Sequence, residues 1–339
     1  MRLIVLGTGA GGGCPQWNCG CENCNFARNN PQSARTTDSL AVEYESDGRQ
    51  AWAIVNPGVD LRHQLARHSE LQPPKDGQVR DTPIKSVILT DAELDHTMGL
   101  INLREGSQLE ILATPSVLEL LESRFPLKTV LKNYANLTFR TIVPGTSFLL
   151  GNSLRVEAAG LSGRQPKYAQ EAGQSANEVA GTDAVIGLRF ESPVTESSGR
   201  SCKGSHSIAY APQIGAWSQE LISLLDGCYA VLVDGTFYTS NELQCLGVKA
   251  PSAEQMGHLP LSGRDGILSR LENINARIKL LTHINNTNPI LRDNSSQRQA
   301  VENAGVKIAV DGMSVCSGAS YASTYSTKPA TKNQGKIRD

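Results

Sequence analysis

A turn rich in possible metal ligands follows residues 84–89, an apolar run that predicts a short buried strand. Asp91, Glu93, Asp95 and His96 all fall within this turn. Carboxylate and imidazole groups together suit iron(II), zinc or manganese. The alternative is an acidic first turn of a helix, because Asp and Glu favour that helix end. That alternative explains Asp91 and Glu93 better than the adjacent pair Asp95 and His96, and both interpretations stay open at this turn alone.

Two later strands also end close to a metal-competent side chain. Asp234 directly follows the apolar residues 230–233, and His283 lies two positions beyond the apolar residues 278–281. A capping role is the alternative for Asp234. The carboxyl ends of the strands in a layered α/β sheet meet at one edge. We therefore predict a single ion with open coordination positions, bound by the side chains of Asp95, His96, Asp234 and His283.

Three cysteines in the pattern C-x-C-x-x-C predict a second, structural site. The thiolates of Cys19, Cys21 and Cys24 can face one tetrahedral ion, and zinc is the metal that such sites usually bind. Three free thiols are the alternative, and an iron–sulfur centre is disfavoured because a suitably spaced fourth cysteine is lacking. The candidates for the fourth ligand are Cys14, Asp38 and a group near Asn286.

The glycine run at residues 7–13 contains G-x-G-x-x-G, the fingerprint of dinucleotide-binding loops. Such a loop should open an amphipathic helix, but residues 14–19 have no helical periodicity. We therefore reject nucleotide binding. The glycines are expected instead to let the backbone pass close to a ligand or a neighbouring strand.

Composition limits the other classes of function. The chain has 339 residues, 39% of them hydrophobic, and a net charge of −1. These values predict one domain over residues 1–316 and give no sign of a strongly basic nucleic-acid surface. We found no apolar run long enough to span a membrane and no signal peptide, so we expect a cytoplasmic protein that binds neither nucleic acid nor membrane. Residues 317–339 are rich in Ser, Thr and Lys, and we expect a disordered tail there.

Apolar runs between turn residues predict the elements that position these side chains. Helices are predicted at residues 61–67, 116–124 and 217–225, and polar loops at 161–181 and 192–205. Strands are predicted at residues 2–6, 40–44, 51–55, 84–89, 109–112, 137–143, 154–158, 184–190, 206–211, 230–233 and 278–281.

The sequence T-D-A-E-L-D-H at residues 90–96 resembles the metal signature T-H-x-H-x-D-H of the metallo-β-lactamase superfamily. Asp95 and His96 match its last two ligands. Asp91 and Glu93 stand at the positions of its first two histidines. The resemblance therefore implies that the first of the two metal positions found in the superfamily's hydrolases has lost its imidazoles.

Two later positions extend this resemblance. Asp234 in V-L-V-D-G-T matches the superfamily's bridging aspartate, and His283 in L-L-T-H-I matches its final histidine. The loop near Arg164, where another histidine is expected, has none. Together with the rhythm of strands and helices, the resemblance implies an α/β fold of the metallo-β-lactamase type, an αββα sandwich with two mixed sheets flanked by helices.

Longer motifs narrow the resemblance to the family of this superfamily that takes part in pyrroloquinoline quinone (PQQ) biosynthesis. They include G-A-G-G-G-C-P-Q-W-N-C-G-C-E-N-C, L-T-D-A-E-L-D-H-T-M-G-L, M-G-H-L-P and H-I-N-N-T-N-P-I-L, in this order. The resemblance implies a non-haem iron(II)-dependent hydroxylase that uses dioxygen on the tyrosine-derived ring of a crosslinked Glu–Tyr precursor. The sequence departs from the family at Cys14, where a bulky apolar residue is expected, and at Glu93, where Gln is expected.

The same resemblance implies roles for other side chains. Arg164 and Lys167, in a polar loop, would hold the carboxylates of an amino-acid-derived substrate. Asp91 and Glu93 would also line the substrate site. His258 would act as a base or as a fifth ligand.

Two other functions stay open. A metal-dependent hydrolase would need two ions and a bridging water, and a non-enzymatic carrier would bind PQQ in the same cleft. Zinc and manganese are the alternatives to iron(II) in the active site. The sequence is also compatible with a homodimer.

Overall fold

The structure is a computed structural model, and it contains two β-sheets. It describes residues 1–75, 77–105, 108–134, 136–161, 164–170, 183–192 and 206–317. The first sheet contains β1 (Arg2–Gly7), β2 (Ser39–Ser46), β3 (Arg49–Val55), β4 (Ile84–Ile88), β5 (Gln108–Ala113), β6 (Asn136–Thr141) and β14 (Ser314–Cys316). The second contains β7 (Ser147–Leu150), β8 (Leu154–Leu161), β9 (Val185–Glu191), β10 (Ser207–Ala211), β11 (Ala230–Asp234), β12 (Ile278–Thr282) and β13 (Lys307–Ile308). The α-helices are α1 (Glu22–Asn29), α2 (Leu61–Ala66), α3 (Leu94–Thr97), α4 (Pro115–Ser123), α5 (Leu127–Leu131), α6 (Gln219–Leu225), α7 (Glu242–Cys245), α8 (Ile267–Leu271) and α9 (Ser296–Asn303).

Both sheets are mixed. The first has the strand order β14-β1-β2-β3-β4-β5-β6, and the second has the order β13-β12-β11-β10-β9-β8-β7. Strands β3 to β6 are parallel neighbours, and so are β10 to β13, whereas the remaining pairs are antiparallel. Each sheet therefore has a parallel half whose strands present their carboxyl ends at one edge.

Three apolar layers hold the sheets and helices together. The layer between the sheets takes side chains from both of them, for example Val42 and Phe190. The outer face of the first sheet packs Trp52 against α2, α4 and α5, where Leu121 is buried. The outer face of the second sheet packs against α6, α8 and α9, where Leu224 is buried. The predicted αββα sandwich is confirmed.

The predicted elements agree with the observed ones to within about two residues at most ends. The predicted strand 84–89 is β4, and the predicted helix 217–225 is α6. Five helices of the described residues were not predicted, namely α1, α5, α7, α8 and α9, because each buries only one to three side chains and so has little apolar periodicity. Strands β7, β13 and β14 were also missed, since runs of two to four residues give a weak pattern.

Parts of three sequence predictions fall outside the described residues. These are the loops at 161–181 and 192–205 and the tail at 317–339, of which the structure describes residues 161, 164–170, 192 and 317. Among the described residues, every helix is too short or too polar to cross a bilayer.

A buried polar contact joins the two sheets beside the apolar layer. Asp38, immediately before β2, accepts hydrogen bonds from the Tyr210 hydroxyl on β10 and from the Thr282 hydroxyl on β12. Asn56 donates to the Tyr210 oxygen over 3.3 Å. Asp38 and Tyr210 are both fully buried. Burial raises the pKa of Asp38, although these hydroxyl donors favour its charged form.

We predict that Tyr210→Phe lowers the free energy of unfolding by about 1–3 kcal/mol, because Asp38 and Asn56 lose a buried partner. Tyr134→Phe is the matched control: Tyr134 is 65% exposed, and the expected change is about 0.5 kcal/mol or less. Equilibrium urea denaturation of both variants at equal metal content measures the difference. Equal midpoints for the two variants would contradict the inferred role of the contact.

Candidate metal centre

Three side chains meet beyond the carboxyl ends of β4 and β12. Asp95 and His96 lie in α3, and His283 follows β12. Asp95 Oδ2 is 3.4 Å from His283 Nε2 and 3.8 Å from His96 Nε2. The Nε2 atom of His96 is buried and has no hydrogen-bond partner among the described residues. Two imidazole nitrogens and a carboxylate oxygen in this arrangement fit one divalent ion.

Asp91 orients one of these imidazoles. Both of its carboxylate oxygens lie 2.8 Å from His96 Nδ1. They also accept hydrogen bonds from the Thr90 hydroxyl and the Glu93 backbone N–H, at 2.8 and 2.9 Å. A carboxylate on Nδ1 fixes the tautomer that leaves Nε2 as the ligand atom. Asp91 is 1% exposed, so the predicted substrate-binding role of Asp91 is corrected to that of a partner of His96.

Neighbouring opposite charges shift the pKa values of His96 and Asp95. Burial opposes the charged form of His96, but Asp91 and Asp95 outweigh it and raise the pKa of His96 to about 10. Burial also opposes ionisation of Asp95, yet His96 and His283 hold the pKa of Asp95 below its usual range. A proton on His96 therefore balances part of the negative charge of Asp91 and Asp95. A divalent ion would replace that positive charge.

Glu93 faces a different environment from its neighbours. Burial, and then the negative charges of Asp91 and Asp95, raise the pKa of Glu93 to about 8. The hydrogen bonds formed within the described residues include none to the Glu93 carboxyl group. The side chain is partly exposed, and the predicted place of Glu93 in the substrate site stays a prediction.

Asp234, the last residue of β11, belongs to a second group with His258 and His283. Its Oδ2 lies 2.7 Å from His258 Nδ1. The sequence predicted that Asp234 shares an ion with Asp95 and His96. The structure gives the Asp234 carboxylate to His258 instead, and the predicted set of four is divided between two groups that share His283.

Thr236 links the members of this second group and was not singled out from the sequence. Its Oγ1 lies 2.6 Å from Asp234 Oδ1, 3.1 Å from His258 Nδ1 and 2.9 Å from His283 Nδ1. A hydroxyl two residues after an acid can bond back to it. The D-G-T sequence at residues 234–236 therefore contained the signal, but nothing in it indicated the two histidines.

Close backbone approach is required around Asp95. A Cβ on Gly58 would lie 2.4 Å from the carbonyl oxygen of Asp95 and 2.3 Å from the Thr37 hydroxyl. Gly11 is also adjacent, since a Cβ there would be 3.6 Å from Asp95 Oδ2. The glycine run at residues 7–13 thus passes close to the metal centre, as expected after dinucleotide binding was rejected.

A short segment, residues 164–170, borders the centre. The Tyr168 hydroxyl donates to the backbone oxygen of Ala92 over 2.7 Å. Arg164 lies against Gly257, the neighbour of His258, because a Cβ on Gly257 would be 3.5 Å from Arg164 Cγ. Lys167 is exposed. Of the two predicted substrate cations, the structure places Arg164 beside the second group.

The three predicted thiols are also brought together. The sulfur atoms of Cys19, Cys21 and Cys24 lie within 4.8 Å of one another. Burial raises the pKa of Cys21 to about 11 and raises that of Cys24 as well. Burial acts in the same direction at Cys19, but hydrogen bonds from Cys21 outweigh it and the pKa of Cys19 is lowered. A divalent ion would stabilise all three as thiolates, which fits a structural zinc site.

The candidates for a fourth ligand occupy different places. The Asn286 side-chain amide lies 3.0, 3.6 and 3.2 Å from the sulfurs of Cys19, Cys21 and Cys24. Rotating this amide by 180° would present its oxygen to the same point. Cys14 hydrogen-bonds with Cys24 but lies outside the group of three. Asp38 was a wrong candidate, because its carboxylate is bonded to Tyr210 and Thr282.

Comparison with known proteins agrees with this fold. Residues 51–284 match the family model of the beta-lactamase superfamily domain. The chain is 38% identical over 322 residues to coenzyme PQQ synthesis protein B of Cupriavidus necator, covering 92% of this chain and 98% of the relative. It is 36% identical over 326 residues to the protein of that name from Nitrosococcus oceani, covering 93% and 99%.

A solved structure has the same fold. The crystal structure of Zn²⁺-bound PqqB from Methylobacterium extorquens superimposes with a TM-score of 0.81 at 29% identity, covering 93% of this chain and 99% of that one. The fold and the matched domain make this chain a member of the beta-lactamase superfamily. Within that superfamily, it belongs to the coenzyme PQQ synthesis protein B family.

We predict that Asp91→Asn weakens binding of a divalent ion at the Asp95–His96–His283 group by about 10–100-fold, because His96 loses the carboxylate that fixes its ligand tautomer. Asp265→Asn, at an exposed position beside Arg270, is the control and should leave affinity unchanged. Competition titrations with a chromophoric chelator measure both variants. Equal affinities would show that Asp91 does not support the ligand.

Proposed function

We propose that this chain is a metal-dependent hydroxylase of a tyrosine-derived precursor in PQQ synthesis, with iron(II) at the Asp95–His96–His283 group. The role in PQQ synthesis is inferred from the name of its relatives, coenzyme PQQ synthesis protein B. The Zn²⁺ in the related crystal structure supports a divalent ion in this family. The proposed choice of iron(II) comes from the chemistry of the ligand set.

The observation that supports the reaction class most directly is the set of two histidines and one carboxylate at a single point. Non-haem iron(II) oxygenases use such a set, which leaves coordination positions open for substrate and dioxygen. Iron(II) bound there would supply the activation of dioxygen. Asp91 would keep His96 in the ligand tautomer, and Thr236 would do the same for His283 through its hydrogen bond to Nδ1.

The hydrolase alternative requires a second ion next to the first. In this chain Asp91 and Glu93 occupy the positions where hydrolases of the superfamily would have two histidines. Asp91 is committed to His96, and Glu93 alone is a poor substitute for a cluster of imidazoles. These features argue against a second ion at the position of those two histidines.

Substrate binding is assigned to side chains that border the centre. Arg164 forms no ion pair with any carboxylate among the described residues, so its guanidinium is available for a substrate carboxylate. Glu93 would accept a hydrogen bond from a substrate ammonium group, and Lys167 is an exposed cation on the same segment as Arg164. The Tyr168 ring packs against that of Phe125, with centroids 5.7 Å apart, and its hydroxyl contacts the backbone of Ala92, next to Glu93.

His258 is proposed as the base of the reaction. Its Nδ1 is held by the Asp234 carboxylate at 2.7 Å, which leaves Nε2 to take a proton. The ring of His258 stacks on that of His283, with centroids 5.4 Å apart. Asp234 would orient the ring, because its fully buried carboxylate holds Nδ1.

Anaerobic iron(II) reconstitution followed by oxygen uptake tests the proposal. With a tyrosine-containing precursor and a two-electron reductant such as ascorbate, which reduces the second oxygen atom to water, we expect dioxygen consumption in proportion to hydroxylated product. His96→Ala should abolish both. Asp265→Asn should retain both. Turnover without dioxygen would instead identify a hydrolase. Tight quinone binding that His96→Ala leaves unchanged, without any turnover, would identify a carrier.

A second prediction concerns the substrate carboxylate. Arg164→Ala should raise KM at least about tenfold with a smaller change in kcat, because a charge-assisted hydrogen bond contributes roughly 1.5–3 kcal/mol. Arg155→Ala, at an exposed arginine of β8 that pairs with Glu191, is the matched control. Steady-state oxygen uptake at varied substrate concentration gives both constants. An unchanged KM in Arg164→Ala would remove Arg164 from the substrate site.

A further inference from the structure

We propose that the cysteine cluster (Cys19, Cys21 and Cys24) sets the position of His283 and thereby the affinity of the Asp95–His96–His283 centre for its ion. Asn23 and Asn286 act as positioning residues in this coupling. The inference rests on the metal centre of the proposed function but not on its oxygen chemistry.

His283 needs external support for its conformation. Its backbone has φ of 53°, a left-handed value that residues with a side chain rarely adopt. Such a conformation persists only where surrounding contacts impose it. Ile284, the next residue, donates its N–H to the Thr8 oxygen at 2.8 Å and accepts from the Ala10 N–H at 3.0 Å. The residues after β12 are therefore held by the N-terminal loop.

Asn286, which contacts the cysteine cluster, lies three residues beyond this ligand. The Asn286 amide covers all three sulfurs, the closest being Cys19 at 3.0 Å. The backbone oxygen of Asn286 accepts a hydrogen bond from the Asn23 side chain at 2.8 Å. An ion among the sulfurs would fix the place of Asn286, and only Ile284 and Asn285 separate Asn286 from the active-site histidine.

Asn23 closes the connection from the other side. Its amide nitrogen donates to the backbone oxygens of both Asn286 and Asn288, at 2.8 and 2.9 Å. Asn23 lies in α1 between Cys21 and Cys24 and is 6% exposed. The buried Asn23 side chain thus joins α1, the helix that contains Cys24, to the segment that contains His283.

The N-terminal loop, which precedes the cysteine cluster, also approaches the metal centre beside Asp95. Gly11, a few residues before Cys14, lies next to the carboxylate of Asp95, since a Cβ there would be 3.6 Å from Oδ2. The N-terminal loop that leads into the cysteine cluster therefore lies beside two of the three ligands, Asp95 and His283. Loss of its ion should loosen the backbone on both sides of the centre.

Asn23→Ala tests the coupling without altering any thiol or ligand. Asn25→Ala is the matched control, because Asn25 lies in the same helix at an exposed position, where its side chain bonds to the Gly20 oxygen and the Arg28 guanidinium and not to the residues after β12. Both variants of the full chain are prepared with one zinc ion per chain in the cysteine cluster. Mn²⁺ is then titrated and followed by electron paramagnetic resonance, since Mn²⁺ prefers oxygen and nitrogen ligands to thiolates.

We expect Asn23→Ala to bind Mn²⁺ at least tenfold more weakly than Asn25→Ala, with a changed zero-field splitting of the bound ion. The measurement is made well below both unfolding temperatures, so that a loss of global stability alone leaves the affinity and the spectrum unchanged. Mn²⁺ affinities within twofold of each other, with identical spectra, would overturn the coupling.

Removing the zinc ion gives a second test. Cys24→Ser should lose zinc from the cluster and weaken Mn²⁺ binding at least tenfold, whereas Cys245→Ser, at an exposed thiol in α7, should change neither. Normal Mn²⁺ affinity in folded, zinc-depleted Cys24→Ser would refute the inference. Coupled Mn²⁺ binding in a chain that consumes no dioxygen would refute the hydroxylase and leave the coupling intact.

Discussion

The hydrogen bond between the Asp91 carboxylate and His96 Nδ1 is the contact on which the metal centre depends. It makes a buried imidazole into a directed ligand, and it accounts for the unpartnered Nε2 atom on the other side of the ring. The carboxylate is itself held by Thr90, whose hydroxyl also accepts a hydrogen bond from Asn56. Asn56 contacts Tyr210 on the second sheet, so the orientation of one ligand is tied to the way the two sheets pack.

Thr236 has the corresponding place on the second sheet. Its hydroxyl contacts Asp234, His258 and the Nδ1 atom of His283, so it orients both imidazoles. His283 is the proposed metal ligand of the two, and His258 is the proposed base. His283 presents its Nε2 atom to Asp95, whereas His258 turns Nδ1 toward Asp234. The centre therefore combines a site for an ion with an acid–histidine pair beside it. Such a combination suits the hydroxylation that we propose, in which the substrate loses a proton beside the ion.

The sandwich was predicted from the superfamily resemblance together with the rhythm of strands and helices, whereas the convergence of Asp95, His96 and His283 was predicted from local patterns. Apolar runs mark strands, and the carboxyl ends of parallel strands must share an edge. Cys19, Cys21 and Cys24 were also found from their spacing. The strand pattern thus carried enough information to bring ligands together that are almost two hundred residues apart along the chain.

The partners of the ligands could not be predicted in the same way. In the structure Asp91 is hydrogen-bonded to His96, and Asp234 is hydrogen-bonded to His258. A carboxylate bonds to whichever donor the packing brings within about 3 Å, and sequence spacing does not fix which donor that is. The place of Asn286 above the sulfurs depends on a contact between residues more than 260 positions apart. Such contacts leave no periodic signal.

Asp95 and His96 reach the centre from the first sheet, and His283 reaches it from the second. An ion bound there would act as a crosslink between the two halves of the sandwich, and it would have no equivalent site in the unfolded chain. Linkage then makes the lifetime of the protein depend on metal supply: an ion at a hundred times its dissociation constant favours the folded state by about 2.7 kcal/mol. Under metal starvation, a cell would lose this protein to proteolysis as well as losing its catalysis.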